Sequence, residues 1–106
     1  MHSHFTIVVL LYVKPGRLED LRRFERKVKP VIEKHGGRFE LVLSATGVRG
    51  ELDRPDEVHV LSFPAKVAFE AYLNDPEVLF LAEERERIVD RTVIIEGDAS
   101  LLDIQK

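Results

Sequence analysis

His59 sits inside the apolar run Val58-His59-Val60-Leu61. Imidazole is the side chain whose charge changes near neutral pH, so this residue is the first candidate for moving a proton. In a strand it shares a side with Leu61 and Phe63, because successive side chains alternate. A neighbouring first strand in a plausible register brings Tyr12 to a diagonal position, where imidazole and phenol would share one pocket. That pair suits proton transfer on a small aromatic or enolisable ligand, with His59 as the acid-base group and Tyr12 as its hydrogen-bonding partner. The competing reading makes His59 a core histidine satisfied by a polar neighbour and Tyr12 a strand-end aromatic with its hydroxyl in water.

Other residues carry weaker signals. Arg38 would bind a carboxylate if it lined the pocket mouth, or else be a solvated strand-end charge. Arg85 stands in the charge run Glu83-Glu84-Arg85-Glu86-Arg87, a pattern that usually marks a wet helix face. Phe24, Phe63, Phe69 and Tyr72 either wall an apolar cleft between helices and sheet or simply fill the core. His35 ends a helical pattern, where a positive imidazole interacts favourably with the helix dipole. His2 and His4 point the same way on a strand, but no third ligand accompanies them and no metal site is expected. Dinucleotide, phosphate-loop, zinc-protease and nucleophile-elbow motifs are missing from the sequence.

The elements that must position these residues can be read from periodicity. Phe5 to Val13 is β-branched, aromatic and continuously apolar up to Pro15-Gly16, as in a strand covered on both faces. From Arg17 to His35, Leu18, Leu21, Phe24, Val28, Val31 and Ile32 recur at steps of three and four, predicting a helix. Glu19 with Arg23 and Glu25 with Lys29 would support its solvated side, Pro30 would kink it near Arg26, and Gly36-Gly37 would end it. Arg38 to Thr46 reads as a strand with Phe39, Leu41, Leu43 and Ala45 on one side. Gly47 to Asp56 reads as an exposed connection, and Glu57 to Phe63 as the third strand. A helix over Lys66 to Leu73 is followed by Asp75-Pro76, the N-cap and first position of another running to about Asp90. Thr92 to Glu96 is a short last strand. The expected organisation is one domain over residues 1–98 with a tail over 99–106.

Composition narrows the function classes. The chain has 106 residues, 44% hydrophobic and 33% charged, enough apolar content for one globular core. A net charge of -3 with interspersed signs offers no basic surface for nucleic acid. The run from Ile7 to Val13 falls short of the ~20 residues of a membrane helix and lacks signal-peptide flanks. No membrane partner is therefore expected, and with no cysteine the cytoplasm is the default location.

The order βαββαβ, with right-handed crossovers, puts both helical layers on one face of a four-stranded antiparallel sheet, an α+β ferredoxin-like arrangement. Runs such as Ile7 to Val13 and Thr92 to Ile95 are apolar in both registers, so the other face also needs cover. A twofold homodimer through the sheet, burying roughly 800 Å² per partner, is the commonest closed solution. Leu101, Leu102 and Ile104 suggest that the tail crosses onto the partner; a tail folded over its own sheet would give a monomer instead.

With Val60-Leu61-Ser62-Phe63-Pro64-Ala65 leading into Ala68-Phe69-Glu70-Ala71-Tyr72, then Asn74-Asp75-Pro76, Arg85 and Ile94-Ile95-Glu96-Gly97, almost the whole chain resembles the dimeric α/β-barrel superfamily, especially its small uncharacterised members. That superfamily includes cofactor-free antibiotic-biosynthesis monooxygenases, muconolactone isomerases, haem-degrading monooxygenases and ligand-sensing domains. The haem-degrading branch typically sets a tryptophan beside its haem, and this sequence has none. Arg85 matches a position where relatives tend to carry arginine, which implies an anion contact. The resemblance thus implies a cofactor-free monooxygenase-like or isomerase-like enzyme acting on a small apolar or aromatic ligand. Its alternative is a non-catalytic dimeric module that binds a small ligand or serves regulation.

Overall fold

A computed structural model describes residues 3–100. Its elements are β1 (Ser3–Val13), α1 (Leu18–Lys34), β2 (Arg38–Ser44), β3 (Glu57–Phe63), α2 (Lys66–Leu73), α3 (Pro76–Phe80), α4 (Ala82–Ile88) and β4 (Val89–Ser100). The four strands form one antiparallel sheet in the order β2-β3-β1-β4, the ferredoxin-like α+β arrangement. No helix among the described residues is long and apolar enough to cross a membrane.

Alternation in β1 divides its apolar run between two environments. Phe5, Ile7, Val9 and Leu11 meet Leu21, Phe24, Val28 and Ile32 of α1, with Leu61 and Phe63 of β3 and Phe69 of α2, in the single core cluster. Helix α1 keeps its periodic apolar stripe and continues through Pro30, which lies within it. The chain leaves α1 through Gly36 at φ 80°, a left-handed conformation that glycine adopts without a Cβ penalty. A Cβ on the next residue, Gly37, would fall 2.5 Å from the Phe63 ring, so the turn lies directly against the core.

Three boundaries differ from the sequence expectations. The single helix expected from Pro76 to about Asp90 is two, because the chain turns at Leu81, whose N–H is shared between the carbonyls of Glu77 and Val78. β4 is longer than Thr92 to Glu96 and pairs with β1 as far as Ser3↔Ser100. Ala99 and Ser100 therefore belong to the sheet, while Leu101, Leu102, Ile104 and His2 lie outside the described residues. In β2 a register shift between Phe39 and Leu41 inserts one extra residue. Phe39 then pairs with Leu61 on the helix side while Leu41 pairs with Val60 on the other, so the two do not share a face as strict alternation required.

The face away from the helices carries Val8, Leu10, Tyr12, Leu41, Leu43, Val58, Val60, Val93 and Ile95. Leu41, Leu43 and Ile95 are each about half exposed, at 52%, 48% and 56%. At one end, the connection after β2 folds back on β1 rather than lying free. Asp56 donates its N–H to the Leu11 carbonyl at 2.8 Å, and the Val13 N–H donates to the Asp56 carboxylate at 2.7 Å.

Candidate active site

Because β3 alternates, Glu57, His59, Leu61 and Phe63 all face the helices. Glu57 is completely buried and His59 is 5% exposed. Across from them α1 presents Arg22 and Glu25, three residues apart and hence on one side of the helix. His59 Nε2 lies 2.7 Å from Glu57 Oε1 and 3.0 Å from Glu25 Oε2. Arg22 closes the group by pairing with Glu57 Oε2, and the Phe39 ring stands edge-on to the imidazole at 5.6 Å.

Nε2 carries at most one hydrogen, which cannot satisfy two carboxylates equally. The hydrogen-bond geometry goes to Glu57, leaving Glu25 Oε2 buried with no hydrogen-bond partner among the described residues. Arg22 brings one positive charge to the two carboxyl groups. The cluster is thus a place where a proton can be held among three acceptors. Ligand atoms of Glu25, Glu57 and His59 also lie within 4.8 Å of one another, a spacing that fits a cation. Arg22, however, already brings a positive charge to Glu57, so the donor set is better matched to proton exchange than to a metal.

This cluster opens on a cavity of about 410 Å³ between the helices and the sheet. Its wall is aliphatic and aromatic apart from Glu25 and His59 on one side and Tyr72, Arg85 and Thr92 on the other. Leu73, Leu79 and Ile94, all substantially exposed, contribute to the same wall, so the cavity reaches the surface. Burial pushes the Tyr72 hydroxyl above its ordinary pKa, which keeps it a neutral donor at physiological pH. Burial likewise lowers the Arg85 guanidinium from its usual value.

The sequence candidates separate accordingly. His59, Phe24, Tyr72 and Arg85 line the cavity together. Tyr12 does not join His59: Val9 is the residue opposite His59, and Tyr12 projects from the other face of β1. There its hydroxyl donates to the Asp53 carbonyl at 2.8 Å, and Arg91 stacks on its ring at 4.0 Å. The expected diagonal pairing therefore fails by one step of strand alternation. Arg38 is exposed and bonds Glu40 at 3.0 Å, away from the cavity. Phe63, 1% exposed, packs against Phe69 and Tyr72 at centroid distances of 5.4 and 5.9 Å and fills core instead of lining the cavity. His35 does cap α1, but its Nε2 also reaches Asp75 at 2.7 Å.

Sequence reasoning missed Glu25, Glu57 and Arg22. Glu25 was expected to pair with Lys29 on the wet side; in the structure Lys29 pairs with Glu33 and Glu25 turns inward. A signal was present, since Glu25 lies four residues after Leu21 and three before Val28, within the apolar stripe. Glu57, two before His59 on a strand, had to share its side.

Comparison with known proteins agrees with this fold and leaves the chemistry open. Residues 7–98 match the family described as a domain of unknown function, DUF1330. A protein of unknown function from Rhodopseudomonas palustris is similar in structure, with TM-score 0.81, 17% identity, and coverage of 96% of this chain and 86% of that one. A dabb family protein with a ferredoxin-like fold from Mesorhizobium loti has TM-score 0.65 and 18% identity, over 96% of this chain and all (100%) of the other. One of unknown function from Nitrosomonas europaea has TM-score 0.64 and 17% identity, over 98% and 96% of the two chains. No curated protein matches.

Proposed function

Starting from the chain's membership of the DUF1330 family, which carries no assigned activity, we propose that it is a cofactor-independent enzyme that encloses a small apolar molecule and moves a proton on it. The observation that carries this reading is the buried Glu25–His59–Glu57 cluster at the wall of an otherwise apolar cavity. A volume of about 410 Å³ lies within the ~300–1,000 Å³ typical of small-molecule sites. Titratable groups held in such surroundings are suited to general acid-base work.

In the proposed reaction an acidic C–H or O–H of the ligand gives its proton to the cluster, with Glu25 and His59 at the cavity wall and Glu57 orienting the imidazole. Arg22 pairs with the other oxygen of Glu57. An enolate formed in this way is reprotonated at another position in an isomerase-like outcome, or adds dioxygen at its carbon to give a hydroperoxide that loses water and leaves a carbonyl there in a monooxygenase-like one. The protein would work as a homodimer joined through the sheet face opposite the helices, whose half-exposed Leu41, Leu43 and Ile95 have no other cover among the described residues.

Deuterium uptake from heavy water into a tetralone, an apolar enolisable ketone, tests the proton-transfer step. The expected result is catalysed exchange that drops by about 10²–10⁴-fold in His59→Gln and in Glu25→Gln. Exchange no faster than buffer, with the ketone nevertheless bound, would leave a binding module without catalysis.

A further inference from the structure

Arg85 is the only lysine or arginine among the described residues of the cavity wall. Its Nη2 donates to Thr92 Oγ1 at 2.7 Å, a neutral acceptor, and no carboxylate of the described residues stands within salt-bridge distance. Several arginines pair with carboxylates, Arg22 with Glu57, Arg38 with Glu40 and Arg91 with Asp53, while Arg26, Arg49 and Arg87, which also have no carboxylate partner among the described residues, are exposed to water. Arg85 is instead half-buried among apolar side chains, where an unpaired charge is costly. A guanidinium has five donors in a planar fork, so the Thr92 contact leaves most of that fork unused. Tyr72 lines the same cavity and adds a neutral hydroxyl nearby.

Strand register fixes how far this pole lies from the acid-base cluster. Leu11 pairs with Glu57 on one side and Thr92 on the other, just as Val9 pairs with both His59 and Ile94. Thr92 is thus two strand spacings from Glu57, roughly 10 Å across the sheet. Between the two poles the floor is Val9 and Leu11, with Leu21, Phe24 and Val28 of α1 among the wall residues.

We propose that the ligand is an elongated apolar carboxylic acid, its carboxylate on Arg85 and its apolar body laid across Val9 and Leu11 toward His59. Carboxylate is favoured because the guanidinium fork matches it with two parallel hydrogen bonds, while the cavity wall offers no second lysine or arginine among the described residues for a more highly charged head. This deepens the reading of the cavity as a substrate site and rests on it. Arg85 is then a specificity residue that distinguishes an acid from its neutral derivative.

The experiment uses the full chain and the uncharged fluorophore N-phenylnaphthylamine, displaced by decanoate or by methyl decanoate at neutral pH. Wild type is expected to bind the acid roughly 10–100-fold more tightly than the ester. Arg85→Gln and Arg85→Met should bring that ratio close to one, acid and ester being compared within each variant against that variant's own fluorophore affinity, and Arg85→Lys should keep part of the preference. Equal displacement by acid and ester in wild type, or an acid preference that survives in Arg85→Gln, overturns the inference and leaves the cavity reading standing. A fluorophore that does not bind at all overturns both. Should the neutral variants fail to fold, equal displacement in wild type still overturns the inference, and Arg85→Lys still tests it through a reduced acid preference.

Discussion

Glu57 has no contact with solvent, and an ionised carboxylate is tolerated in such a place only when donors surround it. His59 and Arg22 supply them. Replacing Glu57 by Gln keeps the volume but leaves Arg22 and His59 facing a neutral amide. Urea unfolding should then show a loss of roughly 1–3 kcal/mol, with the partial exposure of Arg22 limiting the effect. A variant as stable as wild type would mean that the charges of the cluster are not coupled in the folded protein. His59 was legible because its type is unusual on an apolar strand; its partners were signalled more weakly, Glu57 by strand alternation and Glu25 by its place in the apolar stripe of α1. Glutamate on a helix also reads as a solvent-facing ion-pair partner, and only tertiary packing shows that Glu25 faces the sheet.

Between elements, the end of α1 is tied to the start of α3 by one carboxylate. Asp75 caps α3 by accepting the Glu77 N–H at 2.9 Å, and it also meets Lys34 and His35 at 2.7 Å. The Lys34 ammonium, then His35 and the Glu77 N–H, hold its carboxyl well below the usual carboxylate range against the opposing effect of burial. A folded-state pKa depressed in this way contributes stability that is complete above the unfolded value, near ~4, and is lost as pH falls below it toward the folded pKa. Asp75→Asn should therefore lie furthest below wild type in thermal stability at neutral pH, with the gap narrowing as pH falls from about 4 to 2. A gap independent of pH over that range would show that the charge of Asp75 does not tie the helices. The N-cap itself was readable from Asp75-Pro76, as were the main helix and the third strand, because caps and periodicity are local. Breaks at Leu81 and around Glu40 were not, since a helix break and a bulge depend on what the neighbouring elements require.

Both faces of the sheet are apolar in sequence, and the helices pack on one of them. The 45–56 connection reaches the Tyr12 hydroxyl, and Leu10 and Tyr12 are both buried, so the uncovered area is smaller than a bare sheet would present. What stays open runs from β2 through β3 and β1 to β4, with Leu41 and Leu43 near one edge and Ile95 on the other. A twofold axis parallel to the sheet, lying between the two faces, would lay one open face on the other and bury both sets without leaving a growing end. A charge placed there should oppose association while leaving the helix-side core untouched. Ile95→Asp with Leu43→Asp is expected to sediment as a single 12.2 kDa chain at micromolar concentration while wild type sediments as a dimer, with far-ultraviolet dichroism unchanged. Because His59 and Arg85 lie on the opposite face, displacement of the fluorophore should persist in the monomeric variant, which would separate assembly from ligand binding. Wild type that sediments as a single chain at every concentration would remove the dimer from the proposal and leave the cavity chemistry to be judged alone.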